Sequence, residues 1–307
     1  YLLSPLRTFP VSQLYPVIVI GYMANNLLPA RLGELVRSYY LARRENFNVS
    51  PALATIAVER VYDGVTLLAF AAVSAPVLLL LGQFDGGGGV SRTAWILVGG
   101  LMVALFLGAL VFLTCLAVMP RFLDFVQWCI RIIPARWGRN QVRNLVFAFV
   151  EGLKVLSSTK QHLALFVFSL PVWLLESSTY FLIGYSFGID QLFSSVWVFM
   201  LVVLLLTATS NLATSLPTAI GGIGPFEVVA QQTLLALGVG ASVGAAYAGF
   251  VHLIALWLPV NLAGLALAWK QNLSIRQLAG AGGKPEPPPE QIDQPSERTG
   301  QSVEDVS

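Results

Sequence analysis

Few charges interrupt the apolar stretches of this chain, and those that do are the side chains able to do chemistry there. Glu59, Arg60 and Asp63 fall in Val58-Glu59-Arg60-Val61-Tyr62-Asp63, roughly 12 to 18 Å into an apolar segment that begins near Pro51, taking ~1.5 Å of helix per residue. An unpaired charge at that depth in hydrocarbon costs ~3 kcal/mol or more. Glu59 and Asp63 are four apart and share a helix face, with Arg60 three before Asp63. Two readings stay open: a salt bridge fixing this helix against its neighbours, or an Arg60 that binds an anionic headgroup while the carboxylates position it or accept a cationic one. Glu176 sits centrally in another apolar stretch and is followed by Ser177, Ser178, Thr179 and Tyr180. It reads equally as a protonated acid hydrogen-bonded between helices and as a group that exchanges a proton or meets a cationic headgroup.

The elements that must position these groups include two interrupted hydrophobic regions. The first carries Asn25-Asn26-Leu27-Leu28-Pro29-Ala30-Arg31-Leu32-Gly33-Glu34, with Arg37 just beyond. The second carries Asn211, Pro217, Gly221, Gly222, Gly224, Pro225 and Glu227. Half-helices that end inside a bilayer leave backbone groups free to hold a ligand, and paired breaks in two halves of a chain point to a midplane site. An arginine at such a break is a good phosphate receptor, which favours Arg31 and Arg37; both also stand at i,i+3 spacing from Glu34, so mutual pairing competes. Pro225 suits a first helical turn, which places Glu227 near a helix N-terminus, either as a cap or as a ligand- or proton-coupling group. The shared order Asn, Leu-Pro, Gly, Glu is a weak internal repeat, with Glu34 five after Pro29 and Glu227 ten after Pro217, and parity makes an inverted-topology repeat plausible. His252, alone in an apolar stretch, reads as a packed, hydrogen-bonded residue.

Composition sets the class. Of 307 residues, 56% are hydrophobic and 11% charged, and the mean hydropathy is +0.72, so the chain is expected to be an all-α integral membrane protein, a polytopic helical bundle with two broken or re-entrant segments. Five stretches reach the ~20 apolar residues of an ordinary span: roughly 51–82, 93–118, 162–187, 195–212 and 243–269. Regions 11–45 and 213–240 are the interrupted ones. Arg43 and Arg44, then Arg121, Arg131, Arg136, Arg139 and Arg143, put the basic connections in the cytoplasm of a cell-membrane protein. Stretches 121–131 and 140–156 have the periodicity of amphipathic helices lying on that surface. Residues 276–307, rich in Pro and Glu, are expected to be a disordered cytoplasmic tail. Cys115 and Cys129 have no metal-ligand or disulfide pattern, and no phosphate loop, metal set or catalytic constellation is visible. Neither a cofactor nor a nucleic-acid partner is expected, and the oligomeric state is open.

The run from Asn25 to Arg37, together with Ala52-Leu53-Ala54-Thr55, Val58-Glu59-Arg60-Val61-Tyr62-Asp63 and Pro217-Thr218-Ala219-Ile220-Gly221-Gly222-Ile223-Gly224-Pro225-Phe226-Glu227, resembles the lysylphosphatidylglycerol synthase transmembrane-region family of flippase-like proteins. The resemblance covers about residues 1–275. It implies a region that moves aminoacylated phospholipids across the bacterial membrane or accompanies glycosyltransferase and polyprenyl-lipid functions. Family members usually carry one or two spans before the first motif, so a truncated N-terminus is expected, and the aminoacyl-transferase domain of the two-domain members is not in this sequence. The expected function is translocation of an anionic or aminoacylated phospholipid, or of a polyprenyl-phosphate lipid, without ATP hydrolysis. Lipid phosphate would fall to Arg31, Arg37 and Arg60, and headgroup or proton coupling to Glu34, Glu59, Asp63, Glu176 and Glu227. The alternative is a membrane subunit of a glycosyl- or aminoacyl-lipid transferase system with a separate soluble partner.

Overall fold

The computed structural model describes residues 2–3, 7–28, 32–45, 49–84, 92–119, 121, 124–126, 128, 139–215, 220–271 and 273, and no strand occurs among them. Pro29, Arg31, Pro217, Cys129 and the stretch 276–307 lie outside the described residues, as does most of 121–131. The helices are α1 (Val11–Leu27), α2 (Gly33–Glu45), α3 (Val49–Leu80), α4 (Arg92–Val118), α5 (Arg139–Gly152), α6 (Thr159–Ser186), α7 (Val196–Thr214), α8 (Pro225–Ala236), α9 (Ala241–Gly249) and α10 (Leu258–Lys270). A π-helix, Phe250–Trp257, joins α9 to α10 into one continuous rod. Local sequence sets the helix starts: Ser158 accepts the Gln161 N–H ahead of α6, and Ser195 accepts the Val198 N–H ahead of α7.

Helices α3, α6, α7 and the α9–α10 rod are each long and apolar enough to cross a membrane. The 27-residue α4 coincides with the remaining expected span, and its second half, Val103–Val118, is an apolar helical stretch in its own right. The two interrupted regions are helical hairpins. In the first, α2 turns back along α1, so that a Cβ built on Gly33 would lie 2.3 Å from the Gly21 carbonyl oxygen, while one on Gly21 would meet the Arg37 side chain. In the second, α8 turns back along α7, with Thr209 and Thr233 hydroxyls 3.0 Å apart. Helices α1, α2 and α8, of 17, 13 and 12 residues, are all shorter than the ~20 residues of a simple span.

The hairpins enter from opposite ends of the bundle. The first opens at the end where α3 begins, because α2 leads directly into it. Gly152 packs on Pro51 and Ala54, so α6 starts at that same end and α7, which follows it, starts at the other. The two tips then meet: a Cβ on Gly221 would lie 2.9 Å from the Asn26 carbonyl oxygen. Each hairpin repeats one order, with an Asn near the end of its first limb (Asn25, Asn211) and an acid in the first turn of its second (Glu34, Glu227).

The expected amphipathic helix over 140–156 is present as α5 with a 3-10 turn at its end, where Leu153 and Leu156 are buried with Ala54 and Val58 of α3 while Phe147 stays exposed. The largest core lies between α6, α7, α8 and α9, around Tyr180, Phe199, Phe226 and Tyr247.

Candidate functional site

Ten helical residues separate Glu59 from the start of α3, and ten separate Glu176 from the end of α6, which puts both about 15 Å from an end of their helices. At that depth the side chains from four elements converge. Arg37 of α2 grips Glu59 with both terminal nitrogens, Nη1 to Oε1 at 2.8 Å and Nη2 to Oε2 at 2.7 Å. Arg60 donates from Nη2 to Glu59 Oε1 at 2.6 Å and to the Tyr22 hydroxyl at 2.9 Å, and the same nitrogen lies 3.4 Å from Asp63 Oδ2. Its guanidinium also sits over the Tyr22 ring, 5.5 Å from the centroid. Asp63 Oδ1 accepts from Trp173 Nε1 at 3.2 Å and from Ser169 Oγ at 3.4 Å. Two cations and two carboxylates thus form one network with no net charge, bridging both hairpin and span.

Glu176 belongs to an adjoining polar group. Its Oε1 accepts from Asn211 Nδ2 at 2.9 Å, and the same amide also lies 2.9 Å from the Tyr180 hydroxyl and 3.0 Å from the Thr207 carbonyl. No arginine or lysine pairs with Glu176 among the described residues. At the second tip, Glu227 Oε2 accepts the Gly224 N–H at 2.7 Å, which caps α8, and Oε1 lies 2.6 Å from His252 Nδ1. The His252 ring stacks on Phe226 with centroids 4.2 Å apart.

These groups surround a single cavity of about 1310 Å³. Asn25, Asn26, Glu34 and Arg37 line it from the first hairpin; Asn211, Gly221 and Gly222 line it from the second. Glu59, Arg60, Asp63 and Glu176 supply the walls between. It runs from Thr55 and Leu165, each six residues into its helix and so about 9 Å from the end where both helices begin, to the meeting point of the tips. Phe168 and Val172 also line it and are 58% and 61% exposed, so its wall includes accessible apolar side chains of α6.

The structure therefore brings together most of the residues singled out by type and spacing. Gly33 serves the hairpin's close approach, and Gly224 and Pro225 serve the start of α8. Glu227 stands one residue behind the cavity wall, linked to it through His252. Arg37 takes Glu59, not Glu34, as its partner. Sequence spacing missed Tyr22, Ser169, Trp173 and Trp257, because hydroxyls and aromatic residues are ordinary in membrane spans and the contacts are made between elements far apart in the chain.

The model of the lysylphosphatidylglycerol synthase transmembrane region matches residues 1–263. Among curated proteins the chain is 27% identical over 241 residues to glycosyltransferase AglD of Haloferax volcanii, an alignment covering 72% of this chain and 37% of that protein. It is 24% identical over 261 residues to a UPF0104 membrane protein of Methanothermobacter thermautotrophicus, covering 81% of this chain and 71% of the relative. A second UPF0104 protein, MJ1078 of Methanocaldococcus jannaschii, is 37% identical over 51 residues, which is 17% of this chain and 22% of the relative. No solved structure matches the chain. With broken hairpins meeting over a charged cavity and the family match spanning nearly all of the helical bundle, the chain belongs to the lysylphosphatidylglycerol synthase transmembrane-region family.

Proposed function

We propose that this chain moves a phosphate-bearing lipid across a cell membrane without ATP hydrolysis, holding the headgroup in the cavity between the hairpin tips while the tails stay in the bilayer. The observation that carries this reading is the cavity of about 1310 Å³, which combines an ionic network at mid-bundle depth with accessible apolar side chains, Phe168 and Val172, in its wall. Buried charge in a membrane protein is expensive and marks substrate pathways by default. The network has its own cations already matched by its own carboxylates. An entering phosphate competes with the carboxylates for Arg60, and an ammonium group on the same lipid can take up any carboxylate released. That balance favours an aminoacylated phospholipid, with phosphatidylglycerol and polyprenyl phosphate as the anionic alternatives. The cavity reaches to within about 9 Å of the end carrying Arg43, Arg44 and Lys160, which on the distribution of basic residues is the cytoplasmic one.

Photo-crosslinking tests occupancy. A diazirine-bearing aminoacylated phosphatidylglycerol is expected to label cavity residues such as Thr55, Ser169 and Asn211 when mapped by peptide mass spectrometry. Labelling confined to the outer faces of the helices would contradict the reading. Glu176→Gln keeps the shape and an acceptor for Asn211 but removes the charge, so it is expected to cut labelling by the aminoacylated lipid about tenfold while leaving the uncharged-amine analogue unaffected.

A second reading rests on the Haloferax relative, which bears the name of a glycosyltransferase and of which this chain spans 37%. In it, the chain is the membrane subunit that presents a lipid substrate to a separate soluble transferase. Co-purification of such an enzyme with the chain from its native membrane would support that role.

A further inference from the structure

The ionic network occupies one side of the cavity; the meeting point of the two hairpin tips occupies another, and Trp257 stands there. It is the last residue of the π-helix Phe250–Trp257 and lines the cavity. Its indole Nε1 is buried and has no hydrogen-bond partner among the described residues. Its backbone carbonyl, by contrast, accepts from Asn261 Nδ2 at 2.8 Å. Buried polar groups are almost always satisfied, and one left over in a cavity is a place where a ligand or ordered water supplies the missing partner.

The local backbone is arranged around this nitrogen. Gly221 has φ 61°, in the left-handed region, and a Cβ there would lie 2.8 Å from Trp257 Nε1 and 2.9 Å from the Asn26 carbonyl oxygen. Only glycine allows the second tip to come so close to both the first tip and the indole. The chemistry of the leftover groups then narrows the ligand. An indole N–H can only donate, so it cannot serve an ammonium group and requires an acceptor oxygen. Arg60 Nε, which also belongs to a cavity-lining residue, is a second buried donor without a partner among the described residues. Asn25 Oδ1, on a third cavity-lining residue, is an acceptor without a partner among the described residues and suits a headgroup hydroxyl or ammonium, while the two donors match an oxyanion.

We infer that Trp257 Nε1–H donates a hydrogen bond to a phosphate oxygen of the bound headgroup, making the junction of the hairpin tips a second phosphate contact beside Arg60. This rests on the lipid reading above and adds to it a residue in the last span. The donor is a positioning contact for the headgroup: no bond is made or broken.

The test compares wild type with Trp257→Phe, which keeps an aromatic ring and removes the donor, using the full chain in detergent with phosphatidylglycerol, polyprenyl phosphate and inorganic phosphate as separate probes. The variant is expected to bind the phosphate lipid about tenfold more weakly. Its melting temperature without added lipid is expected to fall no further than the smaller ring accounts for, because the indole nitrogen has no hydrogen-bond partner among the described residues to lose. Trp257→His, which restores a ring N–H, is expected to recover part of the affinity. Weakened binding of all three probes supports the donor with phosphate itself as the recognised group; weakened binding of the lipids alone supports it with the lipid as the source. Equal affinity of wild type and Trp257→Phe overturns the inference and leaves the lipid reading standing. Failure of wild type to bind any phosphate lipid removes the lipid reading and this inference together.

Discussion

Glu59→Gln is expected to destabilise the protein by about 3–5 kcal/mol, the cost of leaving buried charge without its partner. Glu59 holds Arg37 through two hydrogen bonds and Arg60 through a third, so its loss strips Arg37 of its carboxylate and leaves Arg60 with Asp63 at 3.4 Å. The effect should be conditional on Arg37. In the double variant Arg37→Gln/Glu59→Gln one cation leaves with the anion, and the loss of stability should be smaller than for Glu59→Gln alone. Thermal unfolding of the two single variants and the double in the same detergent measures the coupling. Additive losses would show that the Arg37–Glu59 contact is not energetically real.

Gly33→Ala should act through sterics alone, with a loss of about 3 kcal/mol, at the upper end of what overpacking costs. The new methyl would lie 2.3 Å from the Gly21 carbonyl oxygen and 2.4 Å from the Asn25 backbone nitrogen. Both are backbone atoms, so no rotamer change relieves the contact and α2 must swing away from α1. That displacement would carry Arg37 off Glu59 and open the network, so lipid labelling in the cavity should fall together with stability. Gly100→Ala in α4 is the control: nothing lies within 4 Å of the added carbon, and no loss is expected. Equal melting temperatures for Gly33→Ala and wild type would refute the hairpin geometry.

The residues that announced themselves in the sequence did so because hydrocarbon makes every charge conspicuous. Glu59, Arg60, Asp63 and Glu176 needed no structure to be singled out, and neither did two Gly/Pro breaks in apolar sequence. Partners were another matter. Arg37 and Glu59 lie 22 residues apart on different helices, whereas spacing alone offered Glu34, and nothing local distinguishes the two. A break shows that a helix stops without giving the angle at which the chain resumes; the reversal at Gly33 depends on its contact with Gly21 and Asn25 across the hairpin. Glu227 caps α8 and His252 is packed and hydrogen-bonded, and each of these is legible from its local sequence. That they are each other's partner depends on α8 folding back against the π-helix, which local sequence does not encode. Trp257 carried no signal at all, since a tryptophan in an apolar span is ordinary.

A cavity that serves as a lipid pathway passes lipid from one leaflet to the other, so its most direct test is movement. The purified chain would be reconstituted into proteoliposomes, and protein-dependent transbilayer movement of fluorescent phosphatidylglycerol, aminoacylated phosphatidylglycerol and polyprenyl phosphate measured without nucleotide, with Arg60→Ala alongside. The expected result is movement of one lipid class, greatest for the aminoacylated lipid, that falls to the protein-free rate in a correctly folded Arg60→Ala. Absence of protein-dependent movement for all three, with the wild-type chain folded in the vesicles, would contradict it.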